Sequence, residues 1–214
     1  MFSSSNMGVF ISFEGIDGCG KSTQVDLLLK KFKTMDLNAV LIREPGGTSV
    51  SEIIRELLLK NQKINISPRT EALLMAASRA QLTREKIAPS LKDGFFVIAD
   101  RYKDSTIAYQ GGGRDLDLKI LNKINNFASY DIDPDITFLI DIIPEEASLR
   151  CQSDGNDRIE NEGLEFQRNV RKSYLKLSKQ YSNRFVKING KLTIEEIHRA
   201  IWENLKNRIE YHEK

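Results

Sequence analysis

The chain has 214 residues, 40% of them hydrophobic and 29% charged, with a net charge of +2. At ~150 residues per domain this favours one compact domain, residues 1–214, whose core needs no disulfides. The composition excludes a disordered chain, and the small net charge excludes a bulk drive toward nucleic acid or an anionic membrane. No apolar run approaches the ~18 residues of a membrane span. Residues 1–7 carry no secretory signal and read as a loose tail. Cys19 and Cys151 form no disulfide framework, which fits the cytoplasm.

Apolar runs then alternate with helical patterns. Val9–Phe13, rich in strand formers, predicts a first strand, and a glycine-rich turn follows it. Val25, Leu28, Leu29 and Phe32 recur at helical spacing. Ala39–Ile42 predicts a second strand, broken at Arg43-Glu44-Pro45-Gly46-Gly47. Ile53, Leu57 and Leu58 suggest a helix. Ser67-Pro68 is an N-cap followed by proline in the first turn, opening a helix with Leu73, Ala76, Ala80, Ile87 and Leu91 as its core stripe. Phe95–Ala99, ending in Asp100, and Ile136–Ile140, ending in Asp141, do not alternate and read as strands buried on both faces. Gln152–Gly163 is polar and irregular and is expected to form a lid over residues 152–163. Phe185–Ile188 is a weaker last strand, and Ile194, Ile197, Ile201 and Leu205 mark a final amphipathic helix. The βαβα order predicts an α/β fold with a central five-stranded parallel sheet flanked by helices.

Gly15-Ile16-Asp17-Gly18-Cys19-Gly20-Lys21-Ser22 matches G-x-x-x-x-G-K-[ST] in full, between a predicted strand and a predicted helix. The glycines let the backbone curl so that its N–H groups point at a polyphosphate, and the helix N-terminus adds positive charge. Lys21 suits the β- and γ-phosphates and Ser22 suits Mg²⁺. The stretch from Gly15 through Thr23 is therefore the expected ATP site. Cys19 reads as a small filler. Asp17 is awkward in an anion-binding loop unless it faces a substrate hydroxyl or Mg²⁺. A guanine-reading Asn-Lys-x-Asp is lacking, since Asn122-Lys123-Ile124-Asn125 ends in an amide within a helical pattern. What remains are small-molecule kinases.

Asp100-Arg101-Tyr102 ends a buried strand, where open α/β sheets bind ligands. Asp100 suits Mg²⁺, and Arg101 suits a bidentate grip on phosphate. The continuation through Asp104-Ser105-Thr106-Ile107-Ala108-Tyr109-Gln110 and three glycines to Arg114 supplies hydroxyls, an amide and a ring suited to a nucleoside. Arg43-Glu44-Pro45-Gly46-Gly47-Thr48, Asp100-Arg101-Tyr102 and Ala108-Tyr109-Gln110-Gly111-Gly112-Gly113-Arg114, in that order after the P-loop, closely resemble the bacterial type of the thymidylate kinase family. The resemblance runs from about Val9 to the final helix. It implies a P-loop NTPase fold with a lid, transfer of the γ-phosphate of ATP to dTMP, a need for Mg²⁺, and a homodimer.

By position, the resemblance implies that Arg101 clamps the dTMP phosphate and that Asp17 lies near the deoxyribose 3′-hydroxyl. Thr106 and Gln110 would read thymine, Tyr109 would pack on the deoxyribose, Arg79 would bond the thymine carbonyl, and Arg43 and Arg55 would steady the acceptor end. At ~100° per residue, Met75 and Arg79 fall on a face away from the Leu73–Ala80–Ile87 stripe, free to line a pocket. The same spacing suits an arginine snorkelling from a second packed face. The chain departs from the family twice. Met75 stands where a phenylalanine usually stacks on thymine. The lid has only Arg150 and Arg158 at its flanks, with Arg158 expected on the transferring phosphate and Arg150 near adenine. Lys21, Asp17, Arg101 and Arg158 are thus the expected catalytic set. His198 and His212 are expected at the surface. The competing readings are another P-loop nucleotide or deoxynucleoside kinase and a non-catalytic P-loop switch.

Overall fold

The computed structural model describes residues 7–60, 64–150, 158–159 and 162–212, with side chains through residue 206. Most of the predicted lid, Cys151, nearly all of the predicted tail and the side chain of His212 lie outside the described residues.

The predicted strands form where expected: β1 (Phe10–Glu14), β2 (Ala39–Arg43), β3 (Phe96–Asp100), β4 (Ile136–Asp141) and β5 (Phe185–Asn189). They make one parallel sheet in the order β2-β3-β1-β4-β5. β1 is buried along its whole length, and β3 and β4 are partly exposed only at their terminal aspartates, as mostly apolar, non-alternating runs in a doubly covered parallel sheet require; the buried hydroxyls of Ser12 and Thr137 satisfy each other across β1 and β4. β2 is the half-exposed edge. The register sets Phe13 beside Asp100 and Arg43 beside Asp100, so the charged strand ends gather on one rim. The chain leaves β1 toward β2 and β3 and returns to β4 on the other side. This is the switch point at which open α/β sheets bind ligands.

The helices are α1 (Lys21–Thr34), α2 (Ser49–Arg55), α3 (Pro68–Leu82), α4 (Ala88–Lys92), α5 (Lys103–Thr106), α6 (Leu118–Ser129), α7 (Pro144–Arg150), α8 (Gly163–Gln180) and α9 (Ile194–His212). Wide π-helical turns extend α2 through Lys60, join α3 to α4 across Thr83–Ile87, and extend α5 through Gly113. The Ser67 side chain caps α3 by accepting from the Thr70 N–H, with Pro68 in the first turn, as predicted. Asn122–Asn125 lies within α6. Among the described residues no helix is long and apolar enough to cross a membrane.

The predicted stripe of α3 needs correction. Leu73 is 56% exposed, while Ala72, Ala76, Arg79 and Leu82 are buried. The π turn after Leu82 slips the helical phase, so Ile87 and Leu91 reach the core without sharing a face with Leu73. Arg79 is therefore on the buried face, not on a second one. Ile53 and Ile194, also expected to pack inward, are exposed, and His198 is half-buried.

The three glycines after Gln110 are packing residues. A Cβ on Gly112 would lie 2.5 Å from Ser173 Cβ, and one on Gly113 2.3 Å from the Phe166 ring. Gly112 and Gly113 let the π segment lie directly on α8, and Gly111 lets it approach Leu118 of α6. Those contacts hold Thr106, Tyr109 and Gln110 at the sheet rim.

Candidate active site

One cleft of about 770 Å³ runs along the rim. The P-loop forms its floor, and Gly15, Gly18 and Gly20 all have positive φ there. At Gly15 (φ +143°) a Cβ would lie 2.6 Å from the Ile140 carbonyl oxygen, so the turn tolerates no side chain. Gly20 opens α1 with no side-chain cap, which leaves the first N–H groups of the helix without a side-chain partner from the cap residue. Cys19 is fully buried, as a filler should be. The Lys21 ammonium donates to the carbonyls of Ile16 (3.0 Å) and Gly15 (3.2 Å). It thus lies across the loop with little dependence on the core. Ser22 Oγ donates to Asp100 Oδ2 at 2.8 Å. A hydroxyl and a carboxylate at the phosphate loop are hard oxygen donors suited to Mg²⁺, which usually takes one or two protein ligands beside substrate phosphates.

The expected acceptor clamp is built but fully engaged. Arg101 sits at φ +71°, a left-handed conformation that costs a non-glycine residue energy and occurs where packing enforces it. Its Nη1 donates to the Gly15 carbonyl (2.9 Å), Tyr174 Oη (3.2 Å) and Ser105 Oγ (3.4 Å). Its Nη2 donates to Asp17 Oδ1 (2.5 Å) and Tyr109 Oη (2.9 Å), and its guanidinium lies 4.9 Å from the Tyr109 ring centre. Tyr109 Oη in turn donates to Asp17 Oδ2 at 2.9 Å. Burial alone would raise the Asp17 carboxyl. Arg101, then Lys21 and the Tyr109 bond, outweigh it and hold that carboxyl below its usual range. Asp17 therefore faces Arg101 rather than open solvent, which answers how an acid survives in an anion-binding loop.

Behind this cluster lies Glu14, fully buried, which accepts from the Tyr102 N–H (2.9 Å), Ser105 Oγ (2.7 Å) and Tyr174 Oη (2.8 Å). Burial, then the Asp104 charge, pushes its carboxyl up to about 7, against Arg101 and the two hydroxyls.

Two facing helical segments wall the far end. Glu71, Met75 and Arg79 repeat every four residues on α3. Opposite them stand Thr106 and Gln110. Arg79, 2% exposed, bonds Glu44 through Nε (2.9 and 3.1 Å) and Nη2 (2.6 Å), while Nη1 donates to Thr106 Oγ1 (3.0 Å) and Asn125 Oδ1 (2.7 Å). Only one Nη2 proton is left for a ligand. Burial alone would lower the Arg79 pKa, but Glu44 outweighs it and keeps the group cationic. At the other end Gln110 Nε2 donates to Glu71 Oε1 at 2.9 Å. Met75 lies between and lines the cleft, as do Arg43 and Arg55. Arg43 is exposed and pairs loosely with Glu52 at 3.4 Å, and Arg55 donates to the Pro45 carbonyl at 2.7 Å.

The lid arginines part company. Arg150 lines the cleft and donates to the Gly190 carbonyl at 2.8 Å, beside Leu192, Thr193 and Ile194. The structure does not bring Arg158 to the phosphate loop. Its Nε donates to the Leu58 carbonyl (3.1 Å) and its Nη2 to Glu71 (2.5 Å), at the slot end.

Sequence reasoning missed Glu14, Glu44, Glu71, Tyr174 and the wall Leu192–Ile194. Glu14 carried a usable signal, because it closes an apolar strand just as Asp100 does.

The comparisons agree with this geometry. The thymidylate kinase family model matches residues 13–201. A thymidylate kinase of Thermosipho africanus is 48% identical over 95% of this chain and 98% of its own length. One of Fervidobacterium nodosum is 49% identical over 90% and 96%. The crystal structure of thymidylate kinase from Ehrlichia chaffeensis superposes with a TM-score of 0.76 at 34% identity, covering 93% of this chain and 99% of that one. With the P-loop, the Asp100-Arg101-Tyr102 rim and the slot between α3 and the π segment all in one cleft, the chain belongs to the thymidylate kinase family.

Proposed function

We propose that this protein transfers the γ-phosphate of ATP to dTMP, giving dTDP and ADP. The carrying observation is that one cleft joins Lys21, the Asp17–Arg101–Tyr109 cluster and a hydrogen-bonding slot between two facing helical segments. Phosphoryl transfer needs positioning and charge neutralisation more than covalent chemistry. The P-loop N–H groups and Lys21 hold the donor phosphates, which draw the ammonium off the loop carbonyls. Arg150 and the Leu192–Ile194 wall flank the donor nucleoside. Arg101 meets the acceptor phosphate by exchanging part of its bonding to Asp17 and Tyr109. Asp17, so released, is free to accept from the 3′-hydroxyl, and the Tyr109 ring packs on the deoxyribose. Arg43 and Arg55 steady the acceptor end, and Thr106, Gln110 and Arg79 read the base. Ser22 and Asp100 would hold Mg²⁺, which when bound neutralises phosphate charge. The Arg158 bond to Glu71 supports a role for Arg158 at the base slot rather than at the phosphoryl group.

The test is ADP formation with a panel of dTMP, dUMP, dCMP, dGMP and thymidine. Turnover of dTMP but not thymidine is expected, and a preference for thymidine would favour a deoxynucleoside kinase. ATP-dependent small-molecule chemistry fits the cytoplasm, and the near-neutral charge favours no nucleic-acid partner. One five-stranded sheet supports reading residues 1–214 as a single domain.

The same reading includes a homodimer. Ile53 on α2, Leu73 on α3 and Ile120 and Phe127 on α6 are 70%, 56%, 58% and 86% exposed. α3 packs against both α2 and α6, so these side chains lie on adjoining elements. An apolar surface over three helices fits a second copy of this chain. Light scattering should give a dimer, and Phe127→Asp a monomer.

A further inference from the structure

The two ends of the slot have opposite hydrogen-bonding chemistry, and one buried carboxylate sets the difference. Glu71 is wholly buried and accepts two bonds on each oxygen. Oε1 takes Gln110 Nε2 (2.9 Å) and Arg114 Nε (3.2 Å), and Oε2 takes Arg114 Nη2 (3.1 Å) and Arg158 Nη2 (2.5 Å). A carboxylate can only accept, so the amide of Gln110 has a single compatible orientation, NH₂ toward Glu71. Its Oε1 takes no hydrogen bond from the described residues, and Gln110 lines the cleft. The two arginines keep Glu71 ionised: burial alone would raise its carboxyl, yet Arg114, Gln110 and Arg158 together hold it below the usual range. At the other end Thr106 Oγ1 accepts from Arg79 Nη1, so its own proton and the last Arg79 Nη2 proton point the chemistry the other way, toward donation.

We propose that Glu71 is a specificity-setting positioning residue: by locking the Gln110 amide it makes the slot present an acceptor beside donors, and so selects pyrimidine-2,4-diones over 4-aminopyrimidines. A 2,4-dione offers an N3–H next to an O4 acceptor and matches both positions. A 4-aminopyrimidine offers an N3 acceptor next to an N4 donor and mismatches both. Unpaired buried polar groups make such a mismatch expensive. This proposal rests on the slot being the base site of the reaction above.

The test is Glu71→Gln, with kcat and KM measured for dTMP and dCMP at saturating ATP and Mg²⁺. In this variant Arg114 Nη2 and Arg158 Nη2 claim the new carbonyl oxygen at the Oε2 position, and Arg114 Nε gives up its bond to Oε1. Its NH₂ then faces Gln110, whose amide turns over and presents a donor to the slot. The dTMP:dCMP ratio of kcat/KM should fall about tenfold or more, through KM for the nucleotides, with KM for ATP unchanged. An unchanged ratio in a folded variant, or a loss confined to kcat, overturns the proposal. Should Glu71→Gln not fold, Gln110→Leu decides, because it leaves Glu71 with both arginines. The ratio must fall there too, and a ratio like that of the wild type refutes the lock. A wild type that does not turn over dTMP instead removes the underlying reading, and is told apart by the absence of any dTMP rate to compare.

Discussion

Replacing Glu14 by glutamine should change how stability depends on pH, with a sign opposite to that of most carboxylates. In the fold Glu14 is fully buried and its carboxyl rises from 4.5 to about 7, chiefly through burial and secondly through Asp104. Between those two values the folded chain holds a proton that the unfolded chain has released. Stability is therefore complete below pH 4.5 and falls as pH rises through 7. At about 1.4 kcal/mol per pH unit, this buried group costs about 3 kcal/mol at pH 8 relative to pH 4.5. The glutamine variant has no proton to lose. Its carbonyl can accept from the Tyr102 N–H, and the Ser105 and Tyr174 hydroxyls can rotate to accept from its NH₂. Near pH 5 the two proteins should therefore be similar in stability. By pH 8 the variant should be ahead by about 3 kcal/mol, or roughly 10 °C in Tm for a chain of this size. Urea unfolding followed by far-ultraviolet circular dichroism at pH 5, 6, 7 and 8 measures the gap. The comparison at each pH cancels the contribution of carboxyls remote from Glu14. Parallel stability curves, or a gap that narrows with rising pH, would refute the reasoning.

Three further outcomes follow from the site. Lys21→Ala should abolish ADP formation while leaving the thermal unfolding transition nearly in place, because the bonds of Lys21 run to carbonyls and the thiol of its own loop. Arg101→Ala should raise KM for dTMP about ten- to a hundredfold with little change for ATP, and should also lower Tm, since Asp17 loses its cation. Met75→Phe should tighten dTMP by a few-fold at most, because a stacking gain of about 0.5–1.5 kcal/mol competes with overpacking of about 1–3 kcal/mol; calorimetric titration reads the sign, and weaker binding at unchanged stability would move the stacking position elsewhere.

The fold was legible because its signals are local. Mostly apolar, non-alternating runs ending in a carboxylate marked β3 and β4, a short run of strand formers before a glycine-rich turn marked β1, and the cap at Ser67 marked α3. The face of α3 was not legible from a single period. Leu73 and Ile87 align at ~100° per residue only if the helix is uniform, and the π turn at Thr83–Ile87 breaks that premise. Exposed Leu73 and Ile53 also show why apolar spacing alone does not locate a core. An interface written on a helix has the same period as a core stripe.

The candidate site was legible by residue but not by partner. Arg79, Arg101 and Arg158 were each expected to meet substrate. Instead each is bound to a carboxylate, Glu44, Asp17 and Glu71, lying 35, 84 and 87 residues away in the chain. Periodicity assigns a face and motif order assigns a neighbourhood, but neither names which acid meets which base. The pairing changes the chemistry expected of these cations. A guanidinium already saturated by protein acceptors gains from substrate only the difference between the bonds it makes and those it gives up. For Arg101 the proposed function would make that exchange couple phosphate capture to the release of Asp17 and Tyr109, the two groups proposed for the deoxyribose. For Arg79, at 2% side-chain exposure against 15% for Arg101, burial closes the exchange, and the bonds to Glu44, Thr106 and Asn125 leave one donor in a fixed direction. Of these two arginines, Arg101 can thus exchange its bonds and Arg79 keeps them, which is the division of labour that the proposed grip on a phosphate and the proposed reading of a base require.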